Sequence, residues 1–233
     1  MKIKAIATAL GITAAFFSSV TIAQEPQSQE YNPPSIENFS QFKKNGVEVL
    51  AYSARTTDGI FARAYVPADQ VGRDQYFGEF SDQVHFWGQA IYGSGKIKYD
   101  LPSGMQQPNV NLTHYSIGAG IGAWQPVFES ADSEVKVAIS GNIGIRIAYV
   151  DTNSQGGDFN VLLTGIPFDF GAHVTHAAIP KLMLGFALLD TGIGHSHDDN
   201  RMGPFYASYQ FTPKLKAITY LGATTAIGVE WGF

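Results

Sequence analysis

The chain has 233 residues, no cysteine and a formal charge of -5. Disulfides and thiol chemistry are therefore excluded, and without a basic stripe nucleic acid is not an expected partner. The 25 glycines and an aromatic share of 13% suit a β-barrel, although many soluble β proteins share that composition.

Lys2 and Lys4, the largely apolar stretch 5–20 and the small-residue site Thr21-Ile22-Ala23 read as a secretory signal over residues 1–23. Losing both lysines takes the charge to about -7. Beyond Ala23 no apolar run approaches the roughly 20 residues of a spanning helix, so only a closed barrel could cross a bilayer. Residues 24–45 are rich in Gln, Pro, Ser and Asn and read as a flexible periplasmic tail. The alternative is a plug, lodged in the barrel through Tyr31, Phe39 and Phe42.

Residues 46–233 are the expected barrel. Strand candidates run over 47–55, 60–66, 84–92, 96–101 and 110–123. The clearest spans 135–149: Val135, Val137, Ile139, Ile143, Ile145, Ile147 and Tyr149 share one face, against Lys136, Ala138, Ser140, Asn142, Gly144, Arg146 and Ala148. Further candidates cover 159–165, 170–178, 182–190, 205–212, 217–220 and 227–233, twelve in all, or ten or eight if doubtful hairpins merge. The Pro-containing turns Ile179-Pro180-Lys181-Leu182 and Thr212-Pro213-Lys214-Leu215 fit the short periplasmic turns of a barrel.

Three groups of residues could carry chemistry. Lys136, Arg146 and Glu230, with Glu48 and Arg63 as further candidates, fall on inward faces, where opposite charges must pair or meet water. Such a lumen is either a salt-bridged plug or a channel lining. His195, His197, Asp198 and Asp199 cluster as a weak metal-site candidate on a Gly-flanked loop. His114 and Ser116, two apart on a strand, share a face as a general base and nucleophile would, with Glu129 the nearest downstream carboxylate. His85, His173 and His176 have no ligand spacing and read as lumen or loop.

The chain ends on a strand with Ile227, Val229, Trp231 and Phe233 on one face and Gly228, Glu230 and Gly232 on the other. This ending resembles Gram-negative outer-membrane β-barrel proteins, in which an alternating last strand closing on Phe is read by the barrel-assembly machinery. The His114-Tyr115-Ser116 triplet also resembles the His-x-Ser motif of outer-membrane lipid A deacylases. That family has Asn after the Ser and carries the motif near its C-terminus, whereas Ile117 follows here and a long stretch of chain remains.

The expectation is an all-β antiparallel transmembrane β-barrel of even strand number, 8 to 12, in the bacterial outer membrane. Ile139, Ile143, Ile145, Ile147, Ile227, Val229, Trp231 and Phe233 should face lipid, with Tyr149, Tyr209, Phe211, Trp231 and Phe233 as aromatic-girdle candidates. The expected function is a structural or small-solute channel barrel whose partners are outer-membrane lipid and the assembly machinery, with no cofactor. The alternatives are a lipid-modifying enzyme and a soluble periplasmic lipocalin-like binder, whose apolar faces would point into a cup. The oligomeric state is left open.

Overall fold

The structure is a computed structural model and describes residues 42, 45–97, 110–154, 157–190 and 201–233. The expected signal 1–23 and most of the expected tail 24–45 lie outside the described residues. So do His195, His197, Asp198 and Asp199, and positions 98–101 of one strand candidate. No helix among the described residues is long and apolar enough to cross a membrane.

Twelve strands appear in chain order: β1 Gly46–Ser53, β2 Thr57–Pro67, β3 Val84–Ile97, β4 Val110–Glu129, β5 Val135–Ser154, β6 Gly157–Gly165, β7 Phe168–His176, β8 Leu182–Asp190, β9 Arg201–Met202, β10 Pro204–Thr212, β11 Leu215–Gly222 and β12 Thr225–Gly232. Each pairs antiparallel with its neighbours, and β1 closes on β12 through partners such as Val47 with Trp231 and Val49 with Val229. A sheet closed in this way has no edge.

The closed wall has ten staves, because two of them are each written in two pieces. β6 and β7 lie end to end along β5 in one register, Arg146 opposite Gly165 and Ile143 opposite Phe168. Pro167 interrupts them because it has no N–H to donate to the ladder. Its carbonyl still accepts from the Gly144 amide at 3.1 Å. β9 and β10 share a register along β8 in the same manner, broken at Gly203-Pro204. Ten staves fall within the expected even range.

The chain enters β1 and leaves β12 at the same end of the barrel, where Asn45 Nδ2 donates to the Phe233 carbonyl at 2.6 Å. The Pro-containing turns after β7 and β10 lie at this terminal end too, as does the longer β2–β3 connection. That connection winds through a 3-10 turn Ala68–Val71, a helical turn Asp74–Phe77 and a second 3-10 turn Gly78–Phe80. Gly72 ends the first of these in the left-handed conformation, φ 68°, which glycine adopts without steric cost.

Side chains alternate between the two sides of the wall, and the polarity is that of a protein turned inside out. Ile139, Ile143, Ile145 and Ile147 lie outside, between 46% and 72% exposed. Ile227, Val229, Trp231, Phe233, Tyr149, Tyr209 and Phe211 are exposed outside as well. Arg63, Glu48, Glu230, Asp169 and three histidines are buried within. An exposed apolar band around an interior that buries paired charges beside an apolar cluster is the pattern of a barrel whose outside meets hydrocarbon, and a lipocalin-like cup would have polar outer faces.

Candidate functional site

The candidate site is the lumen, and a chain of side chains crosses it at mid-height. Arg63 on β2 is 1% exposed. Its Nη1 is ion-paired with Asp169 on β7, a strand that does not adjoin β2 in the wall. On the neighbouring strand β3, Gln89 Oε1 accepts from Arg63 Nε at 3.0 Å and also from Nη2. The guanidinium lies 4.8 Å from the Trp87 ring centroid and 5.0 Å from that of Phe61. Aromatic faces of this kind stabilise a desolvated cation.

From Arg63 the polar belt continues around the barrel. The Tyr65 hydroxyl donates to Glu48 Oε2 at 3.1 Å, and Tyr220 on β11 donates to Glu48 Oε1 at 3.3 Å. Asp169 Oδ1 accepts the Asp190 amide at 2.7 Å, and Arg146 Nη1 reaches the Asp190 carboxylate at 3.3 Å. A third ion pair, Lys216 with Glu230 at 2.8 Å, lies nearer the terminal end. Burial of so many charged and polar groups is sustained because they are paired and hydrogen-bonded across strands.

Room for this filling comes from glycine on β4 and β5. The Trp87 ring lies over Gly120 and Gly144, where a Cβ would come within 2.6 Å and 2.5 Å of it. Its Nε1 donates to the Ile121 carbonyl at 3.3 Å. Beside it, His85 Nε2 and Asn142 Oδ1 meet at 2.7 Å across Gly122.

Of the residues singled out in the sequence, Lys136, Arg146 and Glu230 lie on the inner face, with Glu48 and Arg63. His114 and Ser116 also point into the lumen, 1% and 4% exposed. Neither His114 ring nitrogen nor Ser116 Oγ has a hydrogen-bond partner among the described residues, so the two are not joined as base and nucleophile. Glu129 is not brought to them: it lies fifteen residues along β4, about 50 Å of strand, and opposite Lys136. His85 and His173 are lumen residues, and His176 ends β7, its Nδ1 accepting from the Ala178 amide at 3.0 Å. Among the described residues no three His, Asp or Glu side chains gather as a metal site would require.

The other members of the belt around Arg63 were not identified from the sequence. Asp169 had a signal, because Phe168, Phe170, Ala172 and Val174 alternate with Asp169, Gly171, His173 and Thr175, and the expected strand began one residue too late to include it. Gln89, Tyr65 and Tyr220 had a weaker one, since aromatic and apolar residues occur on both faces of their strands.

No protein-family model matches the chain, and no curated protein does. Two solved structures of Ail, the attachment invasion locus protein of Yersinia pestis, are similar to it at 11% identity, over 80% of this chain and 93% of theirs. One is a complex with the heparin analogue sucrose octasulfate, at a TM-score of 0.30, and the other stands at 0.28. The strand pairing, the apolar exterior and the polar filling by themselves define an antiparallel ten-stave β-barrel of the outer-membrane type.

Proposed function

We propose that this protein is an integral barrel of the Gram-negative outer membrane whose lumen is closed, a structural barrel and not a solute channel. The observation that carries the reading is the buried Arg63 side chain spanning the lumen to Asp169. A pore would need water where this belt, Trp87 and Phe61 are packed. Lipid is the partner of the outer band. The strand ending on Trp231 and Phe233 is the element offered to the assembly machinery, on the resemblance of that ending.

The test has two parts. Membrane-fraction protein should migrate faster unheated than boiled on SDS gels, and the purified barrel should give no conductance steps in planar bilayers. Steady channels from a heat-modifiable protein would overturn the closed lumen and leave the membrane barrel standing. A single unshifted band from a soluble fraction would overturn the membrane reading itself.

A further inference from the structure

The turns after β4, β7 and β10 are short, whereas residues 68–83, between β2 and β3, carry Val71, Tyr76 and Phe80, which are between 46% and 67% exposed. The same segment holds Phe77, whose ring meets Phe86 edge-on at 6.3 Å. Phe86 belongs to the outer face of the wall. Trp231 pairs with Val47, Val47 with Ala64 and Ala64 with Gly88, and Phe86 lies two residues from Gly88 toward the terminal end, on the same side of the sheet. The connection therefore touches the lipid-facing wall, and its exposed apolar residues continue that band past the ends of β2 and β3. A patch of this kind, contiguous with an apolar surface, marks a membrane or partner contact.

The polar groups of the segment say which. The Arg73 guanidinium stands over the Tyr76 ring at 5.6 Å. Arginine and tyrosine each join an apolar body to a polar end, and both suit the boundary between acyl chains and phosphates. Asp69, Asp74, Glu79 and Asp82 leave the segment net negative, so apolar insertion and not charge must hold it at a lipid surface.

We propose that the β2–β3 connection is an interfacial anchor: Val71, Tyr76 and Phe80 insert at the headgroup boundary of the phospholipid leaflet around the terminal end, with Arg73 at the level of the phosphates. It holds the barrel to a fixed depth on this side, as aromatic girdles do from the strands. The inference rests on the membrane-barrel reading and not on the closed lumen.

The experiment uses the full barrel in phosphatidylcholine vesicles whose acyl chains carry bromine either near the headgroup or near the chain end. In the parent, Trp231 is exposed outside and should be quenched, which tests the membrane reading by itself. Tyr76→Trp is made in a Trp231→Phe background, where Trp87 and Trp124 are buried and the background protein serves as the blank. The added indole should lose about twice as much emission to the shallow bromines as to the deep ones, as a group roughly 5–10 Å into the boundary would. Val71→Trp in the same background should behave alike. Joining it to Tyr76→Asp and Phe80→Asp should cut its quenching at least about twofold, because the side chains that hold the segment down are gone.

Heat-modifiable migration shows that each variant is folded, and if Tyr76→Trp fails this check, Phe80→Trp takes its place. Quenching of Trp231 with none of the added indole, which aqueous acrylamide would then reach, would overturn the anchor and leave the membrane barrel standing. Absence of both would overturn the membrane reading and the anchor with it. Unchanged quenching beside the two aspartates would show that the wall alone places the segment, and would overturn anchoring by these side chains.

Discussion

The two walls of the lumen are built on opposite plans. Along the middle of β4 the inward positions are small, Gly118, Gly120 and Gly122, and on β5 Gly144 and Ala148 flank the inward Arg146. The adjoining wall from β1 to β3 turns Tyr52, Phe61, Arg63, Tyr65 and Trp87 inward. The bulky wall occupies the space that the thin wall leaves, and close packing follows from that division without any inward bending of the backbone. Charge is divided by the same rule: Arg63 reaches out from the thick wall, and Asp169 meets it from beyond the thin one. Closure therefore depends on a pair of side chains that no single hairpin contains.

Breaking that pair should have the largest effect. Asp169→Ala leaves Arg63 buried without its counter-charge, a loss of about 3–5 kcal/mol. It should appear as a lower urea midpoint for the gel-mobility shift of the detergent-solubilised barrel. Adding Arg63→Met should recover roughly half or more of the loss, because the stranded charge is removed along with its site. Equal midpoints for Asp169→Ala and the parent would mean that the pair does not hold the lumen closed.

A smaller effect is expected from thickening the thin wall. Gly120→Leu sets a side chain into the Trp87 ring and the Ile143 carbonyl, and overpacking of this kind costs about 1–3 kcal/mol. Gly141 provides the contrast: it faces outward on β5, and a Cβ there would find its nearest neighbour, the Asp169 carbonyl oxygen, at 3.7 Å. Gly141→Ala should stay within about 0.5 kcal/mol of the parent. The pair of variants, compared by thermal unfolding and Trp87 emission, reads glycine as lumen space and not as backbone freedom. Similar losses at both positions would reject that reading.

The same asymmetry explains what could be read in the sequence. The thin wall shows clean alternation, because its inner face carries small or charged residues and its outer face Ile, so the faces of residues 135–149 were legible, Lys136 and Arg146 included. The thick wall hides its period. In β2, Phe61 and Tyr65 point inward while Ile60 and Val66 point outward, so both faces look apolar and Arg63 stands out only weakly. The number of staves was hidden for another reason. Pro167 looks like a strand end in sequence but lies within a single register that β5 carries through, and the break expected between residues 92 and 96 lies inside β3. Glu129 shows the limit of proximity in sequence, since fifteen residues of extended chain separate it from His114 by the length of the strand.

The smallest effect lies in the turn that joins β4 to β5 and so begins the thin wall. Ser130 Oγ donates to Asp132 Oδ1 at 2.5 Å, and the Glu134 amide donates to the same oxygen at 3.1 Å, while Ser133 adopts a left-handed φ of 57°. The Ser130 hydroxyl first, and then the Glu134 amide, hold the Asp132 carboxyl below the ordinary aspartate range. A carboxyl depressed in the folded state binds its proton more weakly there than in the unfolded chain. Its contribution is therefore complete above the unfolded value of about 3.9 and fades as pH falls below it. An NMR titration of the Asp132 side chain should give a midpoint under that value, and Ser130→Ala should move it upward. Because Asp132 is exposed, the lumen pair should not respond: Trp87 emission should stay constant through the Asp132 transition. A midpoint at the ordinary value, or one indifferent to Ser130→Ala, would show that the hydroxyl does not hold the turn. The closure of thick wall on thin would then owe nothing to the way their longest hairpin begins.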